Sequence, residues 1–124
     1  MIIIIVKPGA PMRLRTEDHD LSYAIRFGTE PNEPRRLADF LAACDQNAER
    51  LTPNGKWCVY REAFDLLLDA ICDCAVPTVW RQCCLDVIHQ PLSTMRRLAV
   101  SDRQKLEVSR ARHALRLQAT YFLP

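Results

Sequence analysis

The first thirty residues carry the hydrophobic pattern of β-strands. Ile2–Val6 is an uninterrupted run of β-branched residues, typical of a short strand buried on both faces. Further along, every second residue is large and apolar, at Leu21, Tyr23, Ile25 and Phe27. This period of two indicates a half-buried strand. We therefore predict a short β-hairpin or meander within residues 1–30, ended by the two prolines of segment 28–34.

From Arg35 onward, apolar residues recur every three or four positions, which predicts amphipathic helices. Pro91 is expected to end the third of these helices. Ser101 and Gln104 form an S-x-x-Q capping box, which predicts that a last helix begins there and reaches about residue 119. The predicted fold is α+β and mostly α, with the short N-terminal β-hairpin or meander packed on a bundle of four to five helices. It forms a single domain over residues 1–124, β-rich in 1–30 and helical in 35–120.

The charge is distributed unevenly along the chain. The formal net charge is +2, from 17 Lys and Arg against 15 Asp and Glu. Residues 1–75 contain nine basic and twelve acidic residues, and residues 76–124 contain eight and three, so the two parts carry −3 and +5. The basic part suggests contact with an anionic partner. The alternative is the solvated basic face of an ordinary helical domain.

Several classes of protein do not fit the sequence. No apolar run approaches the roughly 20 residues of a membrane span, and the apolar start lacks the basic region of a secretory signal. We therefore expect a cytoplasmic protein without membrane contact and with reduced cysteines. Gly-rich phosphate loops and the G-x-S-x-G motif are absent. Although a triad can assemble from distant residues, we predict no enzyme activity and no cofactor.

Four of the six cysteines lie within one short segment, at Cys72, Cys74, Cys83 and Cys84. On a regular helix, Cys72 and Cys74 lie about 160° apart, so one metal ion does not easily bind both. Cys83 and Cys84 fall within the apolar stripe of the third helix, where cysteine acts as a small hydrophobic residue. We predict a cysteine-rich core, with a metal site and a redox centre as the alternatives.

A second cluster of polar residues occupies the segment TEDHD, residues 16–20. Its carboxylates and imidazole suit several divalent cations. Because all these candidate ligands are contiguous, we expect a solvated turn between strands and no metal site.

The segment after residue 80 resembles the DNA-binding helix-turn-helix motif. One helix is followed by a break at HQP and then by STMRRLA, which resembles the start of a recognition helix. The turn departs from the motif, because His89 and Gln90 replace its usual glycine and apolar residue. The resemblance implies that the nucleic-acid contacts of this helix are Ser93, Thr94, Arg96 and Arg97.

The last predicted helix has a basic row and two apolar stripes. The row consists of Lys105, Arg112 and Arg116, which is a spacing that can follow phosphates. The second apolar stripe is narrow and consists of Leu106, Ala114 and Leu117. Two apolar faces suggest a helix placed between its own bundle and another surface, such as a second subunit.

These features support two hypotheses about function. The first is a small nucleic-acid-binding protein, of the kind found among bacterial, plasmid or phage regulators, that uses a degenerate helix-turn-helix and a basic C-terminal helix. The second is a non-enzymatic protein–protein interaction module, such as an adaptor, an inhibitor or a small subunit of a larger complex. In the second hypothesis the C-terminal helix contacts a protein partner or forms a homo-oligomer.

Overall fold

The computed structural model describes residues 16–122, with the side chains of residues 19–121. In this range the chain forms six α-helices and no β-strand. The helices are α1 (Thr16–Phe27), α2 (Arg35–Ala48), α3 (Pro53–Ile71), α4 (Thr78–Val87), α5 (His89–Leu98) and α6 (Asp102–Phe122). The expected helical bundle is present in this part of the chain, and the expected β-hairpin is not.

Helix α3 is the centre of the bundle, because it packs against each of the other five helices. Its sequence is apolar on most sides, which is typical of a helix enclosed by others. The Thr52 hydroxyl accepts a hydrogen bond from the Gly55 amide at 3.1 Å, and Pro53 occupies the first helical position. Both features favour the start of the helix through residues that are close in sequence, without contacts to other helices. The buried α3 side chains include Trp57, Val59, Ala63, Phe64, Leu66, Leu67, Ala70 and Ile71.

The predicted strand at residues 21–27 is wrong, because these residues lie in α1. Leu21, Ala24 and Ile25 are buried, a helical i, i+3, i+4 spacing. A strand would instead have placed Tyr23 and Phe27 on the same buried face as Ile25, and they are 47% and 38% exposed. Seven residues are too few to separate a period of 2 from one of 3.6. The other predicted strand, Ile2–Val6, lies outside the described residues.

Gly28 ends α1 in the left-handed conformation, with φ of +60°. The Thr29 amide then donates to the Ala24 carbonyl at 3.3 Å, the bond that closes a Schellman motif. Residues 16–20 form the first turns of α1 and not a turn between strands, which corrects that prediction as well.

The connection between α4 and α5 is a single residue, Ile88, whose backbone is itself helical. A helix-turn-helix motif joins its helices through a turn of about three to four residues. Here α4 and α5 follow each other almost directly. Pro91 lies in the first turn of α5, where its missing amide hydrogen is tolerated, and does not end the preceding helix. The structure therefore lacks the turn on which the resemblance depended.

The capping box before α6 is confirmed. The Gln104 amide donates to the Ser101 hydroxyl at 3.0 Å, and the Gln104 side-chain oxygen accepts from the Ser101 amide at 3.2 Å. The Gln104 side chain also donates to the Asn54 side chain at 3.0 Å, which joins the start of α6 to the start of α3.

The cysteines differ widely in burial. Cys84 is fully buried in the core, and Cys83 is half-buried against it, as the apolar stripe predicted. Cys72 is half-buried at the end of α3, and Cys74 is exposed in the following turn. None of the six cysteines, all of them described, forms a disulfide, and no three His, Cys, Asp or Glu side chains among the described residues could together hold a metal ion. Among the same residues, no helix is both long and apolar enough to cross a membrane.

Candidate nucleic-acid interface

Helices α5 and α6 pack side by side and leave two neighbouring grooves between them. The first, here called the basic groove, has a volume of about 290 Å³ and is lined by Arg96, Ala99, Lys105, Val108, Ser109 and Arg112. The second, here called the aliphatic groove, has a volume of about 480 Å³. It is lined by Leu85, His89, Leu92, Arg112, Leu115, Arg116 and Ala119. Arg112 lines both grooves, so they are adjacent at that residue.

The period of α6 explains why its basic row reaches these grooves. Lys105, Arg112 and Arg116 follow one another at seven and four residues, so they share one side of the helix. Val108 and Leu115, on the adjacent stripe, are buried in the core and hold the helix in place. The basic row is therefore exposed beside α5. Its three residues share one side of the helix, as the sequence predicted.

The Arg and Lys residues that line the two grooves have no acidic counterpart among the described lining residues. Among the described residues that line them, four are Arg or Lys and none is Asp or Glu. None of these four cations forms an ion pair within 4.0 Å with another described residue. They differ in this from Arg61 and Arg103, which both pair with Glu107 elsewhere on the surface. No described acidic side chain therefore neutralises the charge of the grooves.

The two consecutive arginines of α5 face different surroundings. Arg96 lines the basic groove. Arg97 lies near Tyr60, whose hydroxyl donates to Asp45 at 2.6 Å. Burial and this hydrogen bond raise the pKa of the Tyr60 phenol above its usual range, and the charge of Arg97 opposes them. Residues one position apart on a helix point about 100° apart, which explains the separation.

The predicted contact residues therefore divide into two sets. Arg96, Lys105, Arg112 and Arg116 are brought together along the two grooves. Ser93, Thr94 and Arg97 do not line either groove. The Thr94 hydroxyl donates to the Gln90 carbonyl at 3.1 Å, one turn earlier in its own helix. This bond uses the hydrogen of the hydroxyl that was expected to contact phosphate.

His89 was missed as a groove residue by the sequence analysis, which placed it in the turn of a helix-turn-helix motif. It begins α5 and lines the aliphatic groove. His89, Leu92 and Arg96 follow one another at three and four residues, so they share one side of α5. That spacing was the available signal, but the break expected at HQP placed His89 outside the helix.

A third groove, of about 470 Å³, lies on another side of α6 against α3. Phe64, Leu68, Leu106 and Ala114 supply its apolar lining, beside the ion pairs of Arg61 and Arg103 with Glu107. The predicted second apolar stripe is thus partly exposed, with Leu106 at 50% and Leu117 at 46%. Opposite charges line this groove, unlike the first two.

The surface of α5 and α6 is therefore the candidate site. Comparison of the chain with protein-family models, with curated proteins and with solved structures finds no match.

Proposed function

We propose that this protein binds nucleic acid through the basic groove between α5 and α6. The observation that carries the proposal is the convergence of Arg96 from α5 with Lys105 and Arg112 from α6, with no acidic residue among the described groove residues. Such a surface favours a ligand with closely spaced negative charges. The proposal does not depend on a helix-turn-helix, since α4 and α5 lack the turn.

The physical driving force is the neutralisation of phosphates. Each phosphate that a Lys or Arg neutralises releases condensed counterions, so affinity falls as salt concentration rises. Arginine also presents a planar fork of donors that matches phosphate oxygens. The Arg96 and Arg112 guanidiniums form no ion pair with described residues, so binding breaks no salt bridge to this part of the chain.

The test is a fluorescence-anisotropy titration of labelled oligonucleotides at several salt concentrations. Replacing Arg96 and Arg112 together with alanine should weaken binding by about tenfold or more at moderate salt. It should also reduce the slope of log K against log salt by up to about two. The matched control is the double variant Arg35→Ala/Arg50→Ala, which removes the same charge from exposed positions outside the grooves.

The control variant should bind within about twofold of the unmodified protein, because it leaves the groove cations in place. Equal losses in the two double variants would show that net charge alone matters. No binding of any oligonucleotide at low salt would end the proposal.

The exposed stripe on α6 supports a second candidate function, self-association as part of a protein–protein module. Leu106 and Leu117 are eleven residues apart, three helical turns, and lie on the same side of α6. Both are about half exposed. Replacing both with serine should then convert a dimer into a monomer in light scattering, while a monomeric unmodified protein would exclude this candidate.

A further inference from the structure

We infer that the ligand is a single strand of nucleic acid, with an unstacked base in the aliphatic groove and an adjacent phosphate at Arg112. The inference rests on the proposed function and names the class of ligand. Its basis is the position of Arg112, which lines both the basic and the aliphatic groove. A ligand bound at this residue would contact the cations of the basic groove on one side and the leucines of the aliphatic groove on the other.

The aliphatic groove has the composition of a base-binding site. Leu85, Leu92 and Leu115 supply apolar surface, and His89 supplies a flat ring. Its volume of about 480 Å³ lies within the usual range for small-ligand sites. Proteins that bind single strands splay the bases out and stack them on rings such as histidine or on guanidinium planes. Here His89, Arg112 and Arg116 provide these planes around one hollow.

A duplex does not use such a hollow, since its bases are paired and stacked inside the helix. If α5 were the recognition helix for a duplex, the residues of its N-terminal half would have to contact base edges in the major groove. Leu92 is buried at 7% exposure, and the Thr94 hydroxyl already donates to the Gln90 carbonyl of its own helix. The side of α5 that carries His89 and Arg96 faces the grooves along α6. The arrangement therefore suits one flexible strand along the groove rather than a helix inserted into a major groove.

Three oligonucleotides of equal length separate the contributions of base and phosphate. They are a labelled single strand, the same strand in a duplex, and a strand of the same phosphates with abasic sugars. We expect the single strand to bind about tenfold more tightly than the duplex, and about fivefold or more tightly than the abasic strand. Single strands of RNA and DNA are compared in parallel, and preference for either over its duplex supports the inference.

The variant that tests the base contact is His89→Ala, an exposed position at which substitution should leave the fold intact. It should weaken single-strand binding by about fivefold and leave abasic-strand binding unchanged. Gln90→Ala is the matched control, because Gln90 is adjacent, exposed and outside both grooves. Gln90→Ala should leave the affinity for all three ligands unchanged.

Failure of the inference and failure of the proposed function give different results. Equal or tighter binding of the duplex, equal binding of the abasic strand, or no effect of His89→Ala would overturn the single-strand inference. In each of these cases, sensitivity to Arg96→Ala/Arg112→Ala would still support nucleic-acid binding. Absence of binding for all three oligonucleotides at low salt would overturn both.

Discussion

The indole of Trp80 in α4 donates its Nε1 hydrogen to the backbone carbonyl of Ile25 in α1, at 2.8 Å. The two residues are 55 positions apart and both are buried. The Ile25 carbonyl lies in the last turn of its helix, where carbonyls need partners from outside the helix. This bond therefore satisfies the end of α1 and holds α4 against it.

We predict that Trp80→Phe destabilises the protein more than Trp57→Phe does. Both indoles are buried, but the Trp57 nitrogen has no hydrogen-bond partner among the described residues. Loss of the Trp80 bond leaves a buried carbonyl without that donor, which should add about 1–3 kcal/mol to the loss of unfolding free energy. Urea denaturation of the two variants measures the difference, and equal losses would show that the bond contributes nothing.

A second prediction concerns Gly28, where α1 ends beside Trp80. A Cβ at this position would lie 2.8 Å from Trp80 Cδ1 and 2.9 Å from Val76 Cγ1. The φ of +60° also disfavours any residue with a side chain. Gly28→Ala should therefore lower the unfolding free energy by about 2 kcal/mol or more. Thr29→Ala, at the exposed next residue, is the control and should be close to neutral in the same denaturation experiment.

The cysteines should differ sharply in reactivity. Burial raises the pKa of the Cys84 thiol from 9.0 to about 12, so the reactive thiolate is absent at neutral pH. Cys74 is exposed. A thiol reagent applied to the folded protein should modify Cys74 rapidly and Cys84 only after unfolding. Mass spectrometry of the digested protein locates the label, and rapid labelling of Cys84 would contradict its place in the core.

The same raised pKa predicts a loss of stability at alkaline pH. The folded state keeps the Cys84 proton to a higher pH than the unfolded state does, so this contribution is complete below about pH 9 and declines as the pH rises towards 12. Cys84→Ala should cost about 1–2 kcal/mol near neutral pH, through a small cavity. It should also reduce the fall in stability between pH 9 and 12. An unchanged fall in this variant would assign the effect to other groups, such as Tyr60.

A fifth prediction concerns the stability of the fold at acidic pH. A hydrogen-bonded ion pair with Arg26, at 2.9 Å, lowers the pKa of Asp73, and the Ala75 amide contributes in the same direction. A lowered pKa stabilises the fold above the usual value of 3.8 and loses this effect as the pH falls through the folded value. Arg26→Gln should therefore cost up to about 1 kcal/mol near neutral pH and progressively less below pH 4.

Thermal melting from pH 3 to pH 7 measures this dependence. Arg35→Gln is the control, since its pair with Glu33 is longer, at 3.7 Å, and the arginine is 79% exposed. If the difference in melting temperature between Arg26→Gln and the unmodified protein were constant across this range, the ion pair would not be the source of the effect.

Much of the helical framework could be predicted from the sequence because its signals are local. The start of α2 at Arg35 followed from the change of period, and the start of α6 followed from the Ser101–Gln104 capping box. The burial of Cys84 followed from its place in an apolar stripe. Each of these depends on residues within a few positions of one another, so pattern and spacing were sufficient.

The tertiary structure decided what local pattern left open. The segment 21–27 suits a strand or a helix by its periodicity, and packing of α1 against α2 and α3 selects the helix that buries Leu21, Ala24 and Ile25. The sequence also could not separate Arg96 from Arg97. Which of two adjacent arginines faces α6 depends on how α5 is rotated against α3 and α6. The sequence by itself therefore determined most of the helical framework from Arg35 onward and the basic row of α6. Only the packing of α5 and α6 against α3 and each other formed the grooves, because that packing sets which side of each helix faces its neighbour.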